Sequence, residues 1–279
     1  MVKIGRFTLG ALLAIAIGVF VGAWTLSLYS SSAAGTEPSQ RNEPDFPKMD
    51  TKPTPRTETF HGCPPEGEDS GDPVHPFDPD LNKLKNRIDE PEEPKKVTID
   101  QILSLPKIAA EKLKEPRAKW LPMTLAEVSQ FEGTPVSVEG FLAGVREEGK
   151  ESCNCGASAP SRVDWHCWLT KSAPEMVKDV HHGVETTGDE LGSAVVCETT
   201  PRVRAMDKHR HWNLQEFENF VRQKKRVRLT GWIMFDQIHS DQLPGGSTTE
   251  KPRRGTLWEV HPITKVEVQE NGSWRDLDQ

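Results

Sequence analysis

Acidic and imidazole side chains recur two residues apart in this sequence, a spacing that could build a metal site. Asp164 and His166 form one such pair, and Glu259 and His261 form a second. Alternate side chains of a β-strand point to the same face, so each pair would present two ligand groups together. Carboxylate and imidazole groups suit Zn, Mn or Fe. A metal with an open coordination position could activate water against a phosphodiester.

Further acids and histidines could complete that cluster if the strands that carry them approach one another. The alternative is a solvated barrel face whose acids pair with Arg202, Arg204 or Arg228, which is the commoner role of such groups. The hypothetical metal ligands, for a divalent ion such as Zn or Mn, are Asp164, His166, Glu198, Asp236, His239, Glu259 and His261.

A ligand-binding surface is a competing interpretation of the same strands. Trp168 and Trp232 are predicted to face outward, and stacking of a base on an exposed ring contributes about 1–3 kcal/mol. Basic side chains near them could follow phosphate groups. The candidate ligand-binding residues are Trp168, Arg202, Arg204, Arg228, Trp232, Arg253 and Arg254.

The charge balance argues against a general nucleic-acid binder. The chain has a net charge of −7, and residues 121–279 include 19 basic and 24 acidic side chains. Domains that bind nucleic acid are usually basic. Nucleic acid is therefore less favoured as a partner than an envelope glycan or an envelope protein. The sequence also has no Gly-x-Ser-x-Gly elbow, Walker loop or Gly-x-Gly-x-x-Gly motif, so nucleophilic and nucleotide-dependent enzymes have little support.

Five segments alternate apolar and polar residues in the way that half-buried strands do. Pro262 lies in the last of them and cannot donate a ladder hydrogen bond, so we expect it at a bulge or an edge. The five predicted strands lie at 136–142, 164–169, 194–199, 226–236 and 256–268.

Three helix starts follow the capping-box pattern, in which a Thr or Asn precedes a Glu or Gln by three residues. The third would place a helix between the third and fourth strands, with Trp212 and Phe217 as a hydrophobic staple. The three pairs are Thr98 with Gln101, Thr124 with Glu127, and Asn213 with Glu216.

This order of elements matches the OB-fold, a five-stranded Greek-key β-barrel with one helix between strands three and four. Closing the barrel removes the exposed edges of a five-stranded sheet. We therefore predict a mainly β protein with few helices and an OB-fold-like barrel over residues 134–270. In OB-folds, the loops after the first and fourth strands and the face between them hold ligands.

The N-terminus carries a targeting signal. Lys3 and Arg6 precede Phe7–Tyr29, a run of 23 residues without a charge, which is long enough to span a bilayer. The positive charges place the remainder outside the cytoplasm, as a single-pass membrane protein with a periplasmic or extracellular domain. Small residues at 31–34 leave cleavage and secretion open. The predicted regions are an anchor or signal (1–30), a disordered stalk rich in Pro and Glu (31–76), a helical segment packed on the barrel (77–133), the barrel (134–270) and a tail (271–279).

The five cysteines fit an exported domain, in which disulfides persist. Their odd number leaves at least one thiol unpaired within the chain. Cys167 and Cys197 are predicted on neighbouring strands. Cys153 and Cys155 are separated by one residue and pair poorly with each other, so they need other partners or a metal. The fifth is Cys63.

Several motifs together resemble an uncharacterised family of exported bacterial OB-fold-like proteins. The resemblance covers residues 63–268 and implies the fold, but it brings no catalytic residue and no established activity. The motifs are LNKLKNR at 81–87, FEGTPVSVEGFL at 131–142, ESCNC at 151–155, DWHCWL at 164–169, ETTPR at 198–202, LTGWIMFD at 229–236 and GTLWEVHPIT at 255–264.

The sequence therefore predicts an exported, membrane-anchored, OB-like binding module whose ligand is an envelope glycan, a protein or a nucleic acid. One alternative is a metal-dependent hydrolase of the phosphodiesterase type that uses the Asp/Glu/His cluster. Another is a structural protein of envelope assembly. Binding is favoured over catalysis, because no motif of a known catalytic mechanism accompanies the cluster.

Overall fold

A β-barrel forms the centre of the computed structural model, which describes residues 44–49, 51–69, 71, 76–109, 115–246 and 251–279. Within these residues nine strands form one hydrogen-bonded sheet. In chain order the strands are β1 (Lys95–Val97), β2 (Pro135–Glu147), β3 (Trp165–Thr170), β4 (Val177–Val180), β5 (Gly183–Thr186), β6 (Val195–Thr199), β7 (Arg226–Phe235), β8 (Trp258–Glu270) and β9 (Ser273–Asp276).

Five of the strands close the barrel. β2 pairs with β3, and β3 with β6, both antiparallel. β6 then pairs in parallel with β8, and β8 and β2 each pair with β7 antiparallel. The sequence-based prediction of a mainly β protein with a barrel and few helices is therefore confirmed. β1 adds to β2 in parallel, and β9 adds to β8.

Alternation along the strands fills the interior of the barrel. Cys167, Leu229 and Val266 are examples of core residues with no exposed surface. Each lies at an apolar position of a segment that alternates apolar and polar side chains, as expected of a strand with one face on the core. The prediction that Cys167 and Cys197 lie on neighbouring strands is confirmed, because the two residues lie directly opposite each other on β3 and β6.

Pro262 lies where the pairing of β7 with β8 is irregular. The register shifts on both sides of Gly231, and a Cβ at Gly231 would lie 2.2 Å from the Pro262 carbonyl oxygen. Glycine is therefore required for the backbones to approach so closely. This irregularity agrees with the expected bulge at Pro262.

Five α-helices lie among the described residues, and two of the predicted caps are confirmed. Thr98 and Gln101 form a reciprocal capping box, and the Asn213 side chain accepts from the Glu216 N–H. The cap predicted at Thr124 is wrong, because that helix begins at Pro122, which favours the first helical position. The helices are α1 (Pro79–Lys85), α2 (Ile99–Leu103), α3 (Pro122–Ser129), α4 (Pro201–Arg204) and α5 (Leu214–Arg222).

The segment before the barrel packs on it over much of the range predicted as a stalk. Phe46 is buried against Phe131, with the ring centroids 5.9 Å apart. Cys63 forms a disulfide with Cys155. The prediction of a disordered stalk is therefore wrong for the described part of 31–76. Composition concealed this packing because the segment is held by isolated anchor points and a covalent link rather than by a periodic apolar face.

Two further boundaries differ from the prediction. Residues 271–279 include β9, which pairs with β8, and are more than a tail. A hairpin of β4 and β5 lies between β3 and β6, and β5 pairs with the end of β2. The predicted anchor at 1–30 lies outside the described residues. Among the residues that the structure describes, no helix has the length and apolar character to cross a membrane.

Candidate metal centre on the outer face of the barrel

The strands that fill the barrel core with one set of side chains direct the alternate set to the opposite face. On β3, Trp165 and Cys167 join the core, whereas His166 lies between them on the other face. The strand register then places an acidic side chain next to this histidine, because His166 lies directly opposite Glu198 of β6. The parallel pairing of Cys197 with Val260 places Glu198 beside the segment that carries His261.

This outer face is buried. Asp164, Glu198 and Glu259 have no exposed surface, and His166 and His261 are exposed by only 2% and 1%. The expected alternative of a solvated face is therefore wrong for these residues. We call the buried set of Asp164, His166, Glu198, Asp236, Glu259 and His261, together with the partly buried His239, the outer polar cluster.

A cover formed by the segment before the barrel excludes solvent from this face. Asn86, which follows α1, donates its side-chain amide to the carbonyl oxygens of Pro65 and Cys153, at 2.9 and 2.8 Å. Arg202 donates to the Asn86 side chain at 2.6 Å and to the Cys63 carbonyl oxygen at 3.2 Å. The disulfide between Cys63 and Cys155 joins the cover to the loop after β2.

Two histidines converge on the carboxylate of Glu198. His166 Nε2 lies 2.5 Å from Glu198 Oε1, and His166 Nδ1 lies 3.0 Å from a Glu148 oxygen. His261 Nδ1 lies 3.3 Å from Glu198 Oε2, and His261 Nε2 lies 3.8 Å from Asp164 Oδ2. The predicted pairs Asp164/His166 and Glu259/His261 thus meet on one face, as the strand alternation required.

Several atoms of this group are buried and, although other polar atoms lie close to them, form no well-directed hydrogen bond. They include both carboxylate oxygens of Glu198 and both ring nitrogens of His261. Buried polar atoms are nearly always hydrogen-bonded, and each exception needs an explanation. One atom each from Asp164, Glu198 and His261 lie within 4.8 Å of one another. Ligand atoms around a tetrahedral or octahedral metal are separated by about 3–4.5 Å, so this set fits a bound cation.

Two cations limit the rest of the cluster. Lys85, at the end of α1, lies 2.9 Å from Asp236 Oδ2 and 3.3 Å from Glu151 Oε1. Arg254 contacts an oxygen of Glu259. Asp236 and one oxygen of Glu259 are therefore already paired with side-chain cations. The three atoms contributed by Asp164, Glu198 and His261 are the better candidates for metal ligands.

The electrostatics of the cluster favour different charge states at different positions. Burial alone would lower the pKa of His166, but the carboxylates of Glu148 and Glu198 outweigh it and raise that pKa to about 10. Burial raises the pKa of Glu198. Burial also lowers the pKa of His239 to about 3, so its imidazole is neutral. A neutral imidazole is the form that ligates metals. Burial would lower the pKa of His261, but Glu198, Glu259 and Asp164 outweigh it and raise that pKa, so a metal ion bound there would displace a proton from the ring.

A cavity of about 230 Å³ lies at the edge of the outer polar cluster. Its lining includes Lys85, Glu148, Glu151, Cys153 and His239. None of the first four was among the predicted site residues. They come from α1 and from the loop after β2, where no alternation marks them. The only sequence signals were the basic segment at 81–87 and the unusual Cys-Asn-Cys spacing.

The tryptophans predicted as stacking platforms are buried. Trp168 is 1% exposed and lies near the guanidinium groups of Arg146 and Arg253, at 5.3 and 4.9 Å from its ring centroid. Trp232 is 2% exposed, and Arg87 lies 3.4 Å from its ring centroid. The expectation that these rings face solvent is therefore wrong, because Arg146 of β2 and Arg253 of the loop after β7 cover Trp168, and Arg87 covers Trp232.

The predicted basic residues serve separate structural contacts and do not form one groove. Arg204 donates to the backbone carbonyl oxygens of Thr199 and Val163. Arg228 pairs with Glu139 at 2.8 Å and with Glu267 at 3.4 Å. Arg253 pairs with Glu185 at 2.8 Å. Arg202 donates to Asn86 and Cys63 of the cover, and Arg254 contacts Glu259. Each of the predicted arginines thus has a partner within the protein.

Comparison with known proteins adds no family assignment. No protein-family model matches the chain, and no curated protein or solved structure is detectably similar to it. Inferences about function therefore rest on the geometry of the outer polar cluster.

Proposed function

We propose that this domain is a binding module whose ligand is a divalent transition-metal ion held by Asp164, Glu198 and His261. The observation that carries the proposal is the set of buried atoms on Glu198 and His261 that form no well-directed hydrogen bond and lie within 4.8 Å of an Asp164 oxygen. Two carboxylates and one imidazole match the ligands that Zn and Mn accept. A bound ion would satisfy lone pairs that no well-directed hydrogen bond of the protein satisfies.

The surroundings support a site that is built for binding rather than for stability alone. Burying charged groups costs several kcal/mol each, and apolar replacements of buried ion pairs are often as stable. His166 bridges Glu148 and Glu198, at 3.0 and 2.5 Å, and so can orient the Glu198 carboxylate. Hydrogen-bonding partners of this kind are typical of metal ligands.

The test is the affinity of the full chain for Zn and Mn by isothermal titration, with bound metal measured after dialysis. We expect His261→Gln to weaken binding by about 100-fold or more, since even the loss of a residue behind a ligand costs 10–100-fold. His209→Gln is the matched control, because His209 is also buried but pairs with Asp278 at 2.8 Å. Absence of binding, or equal affinity in both variants, contradicts the proposal.

The OB-fold topology remains part of the proposal. The barrel order β2–β3–β6–β8–β7, the parallel pairing of β6 with β8, and the position of α5 between β6 and β7 support it. These features are the ones expected of a five-stranded Greek-key barrel with a helix between strands three and four. We likewise propose export and membrane anchoring from the charge-free run at 7–29, and membership of the exported OB-like family from the motifs.

Metal-dependent hydrolysis is a second candidate, favoured by the cavity beside the cluster. Its volume of about 230 Å³ leaves room for a small substrate group next to Glu151 and His239. A metal at Asp164, Glu198 and His261 would supply an activated water. Turnover of bis(4-nitrophenyl) phosphate by the Zn- or Mn-loaded chain, abolished in His261→Gln, would support hydrolysis. If the fully loaded chain shows no turnover, hydrolysis is ruled out and metal binding remains as the proposed function.

A further inference from the structure

Asp164 stands between two groups of ligand atoms. Its Oδ2 lies 3.8 Å from His261 Nε2 on one side and 3.8 Å from the Cys153 sulfur on the other. One atom each from Glu151, Cys153 and Asp164 also lie within 4.8 Å of one another. The two groups of three therefore share one carboxylate. This arrangement is typical of paired metal ions, which lie about 3.5–4 Å apart.

The Cys153 thiol is fixed in place and is not part of the disulfide. It lies in a short 3₁₀ turn, Ser152–Asn154, whose next residue, Cys155, is bonded to Cys63. The Cys153 carbonyl oxygen accepts from Asn86 at 2.8 Å, and the residue is 1% exposed. The disulfide thus holds the thiol toward Asp164, while leaving its sulfur free of covalent partners.

Open ligand positions lie on both sides of the shared carboxylate. Glu151 Oε2 is buried without a hydrogen bond, while its other oxygen lies 3.3 Å from Lys85. Beyond Asp164, the atoms of Glu198 and His261 that form no well-directed hydrogen bond belong to side chains with no exposed surface. Glu151 and Cys153 also line the cavity of about 230 Å³, through which an ion could reach them.

We propose that the outer polar cluster and the loop after β2 together hold two divalent ions, with Asp164 as the shared ligand and Glu151 and Cys153 as ligands of the second. This inference rests on the proposed metal site and extends it. Binding breaks the S–H bond of Cys153, forms a metal–sulfur bond and releases the proton to solvent. A thiolate ligand favours Zn or Co over Mg or Ca, so the second position selects a softer ion.

The test is a titration of the full chain with Co²⁺, which gives a near-ultraviolet charge-transfer band when a thiolate binds it. We expect about two ions per chain and the thiolate band in the wild type. Cys153→Ser is expected to bind about one ion without the band. Cys167→Ser is the matched control, since Cys167 is another buried free thiol but lies in the barrel core, and it should behave as the wild type.

A second variant guards against misfolding of Cys153→Ser. Glu151→Gln retains the thiol, so it should develop the band only at about tenfold higher cobalt. A band that persists in Cys153→Ser, or a wild type that binds a single ion without the band, overturns the second position and leaves the first intact. If no variant and no wild-type sample binds cobalt, zinc or manganese, both positions are wrong.

Discussion

The two faces of the same barrel strands are both buried, yet they differ in composition. On β3, Cys167 has no exposed surface and joins the core, whereas the neighbouring His166 is 2% exposed and joins the outer polar cluster. On β8, Val260 and His261 repeat the contrast, with 0% and 1% exposure. Burial alone therefore does not distinguish the faces. What distinguishes them is whether the buried groups are apolar.

This difference in composition separates the apolar side chains that stabilise the fold from the polar side chains that the fold holds in place. Burying an apolar side chain stabilises a protein by about 1.5–3 kcal/mol. Burying a charge has a desolvation cost that its partner offsets only in good geometry. A protein that closes a cover over Glu198 and His261, whose polar atoms lie close to one another without a well-directed hydrogen bond, is arranged around something other than stability.

The largest expected effect tests the interior face. Trp258 has no exposed surface, and its ring centroid lies 4.9 Å from that of Phe235. We expect Trp258→Ala to lower the free energy of unfolding by about 3–5 kcal/mol, because it removes apolar contact and leaves a cavity. Urea unfolding of the full chain, followed by circular dichroism, measures it.

The control for this change is Met123→Ala, which removes an apolar side chain that is 70% exposed. Its effect should stay within about 0.5 kcal/mol. A loss below about 1 kcal/mol in Trp258→Ala would show that the barrel core is not where the stability resides.

The next largest effect tests the outer face. Lys85 and Asp236 form a buried pair at 2.9 Å, with side chains 2% and 0% exposed. Lys85→Met leaves a buried carboxylate without its cation and should cost about 3 kcal/mol. The double variant Lys85→Met, Asp236→Asn removes both charges, so it should recover much of that loss. Urea unfolding of the two single variants and the double variant completes the cycle.

The outcome of that cycle decides the comparison. Recovery in the double variant means that the charges of the outer face are not required for stability. A double variant as unstable as the sum of the single variants means instead that Lys85 and Asp236 are not coupled and that each side chain stabilises the fold through other contacts, so the contrast between the faces would disappear.

Strand alternation was sufficient to predict which side chains share a face. It grouped Asp164 with His166 and Glu259 with His261, because the period of a strand is fixed at two residues. It could not predict that this face is covered. The cover comes from a segment whose composition resembles a disordered stalk, and a disulfide between positions 92 residues apart attaches it.

Loop residues of the site also escaped prediction. Lys85 and Cys153 reach the cluster from α1 and from a 3₁₀ turn, and no sequence period marks such positions. The exposure expected for Trp168 failed for a different reason, since a residue that points outward from the barrel is exposed only if no other side chain covers it. The hairpin of β4 and β5 was missed because each of its strands has only four residues.

The smallest expected effect concerns pH and the rim of the outer face. Glu148 lies 3.0 Å from His166 Nδ1 and 2.8 Å from Arg146 Nε. Burial would raise its pKa, but His166 and Arg146 outweigh it and hold that pKa well below its ordinary value of 4.5. The unfolded chain therefore binds a proton near pH 4.5 that the folded chain does not, so the stability from Glu148 is present above that pH and is lost as the pH falls below it.

We expect Glu148→Gln to lower the free energy of unfolding by about 1–2 kcal/mol at pH 7, the range for a hydrogen bond to a charged group. The difference from the wild type should shrink as the pH falls from about 4.5 to 3, and urea unfolding at each pH measures it. Asp100→Asn is the control, because its pair with Lys171 is solvent-exposed and contributes little. Apolar side chains of the interior face do not titrate, so a constant difference between pH 7 and pH 3 would mean that Glu148 acts by packing, as they do.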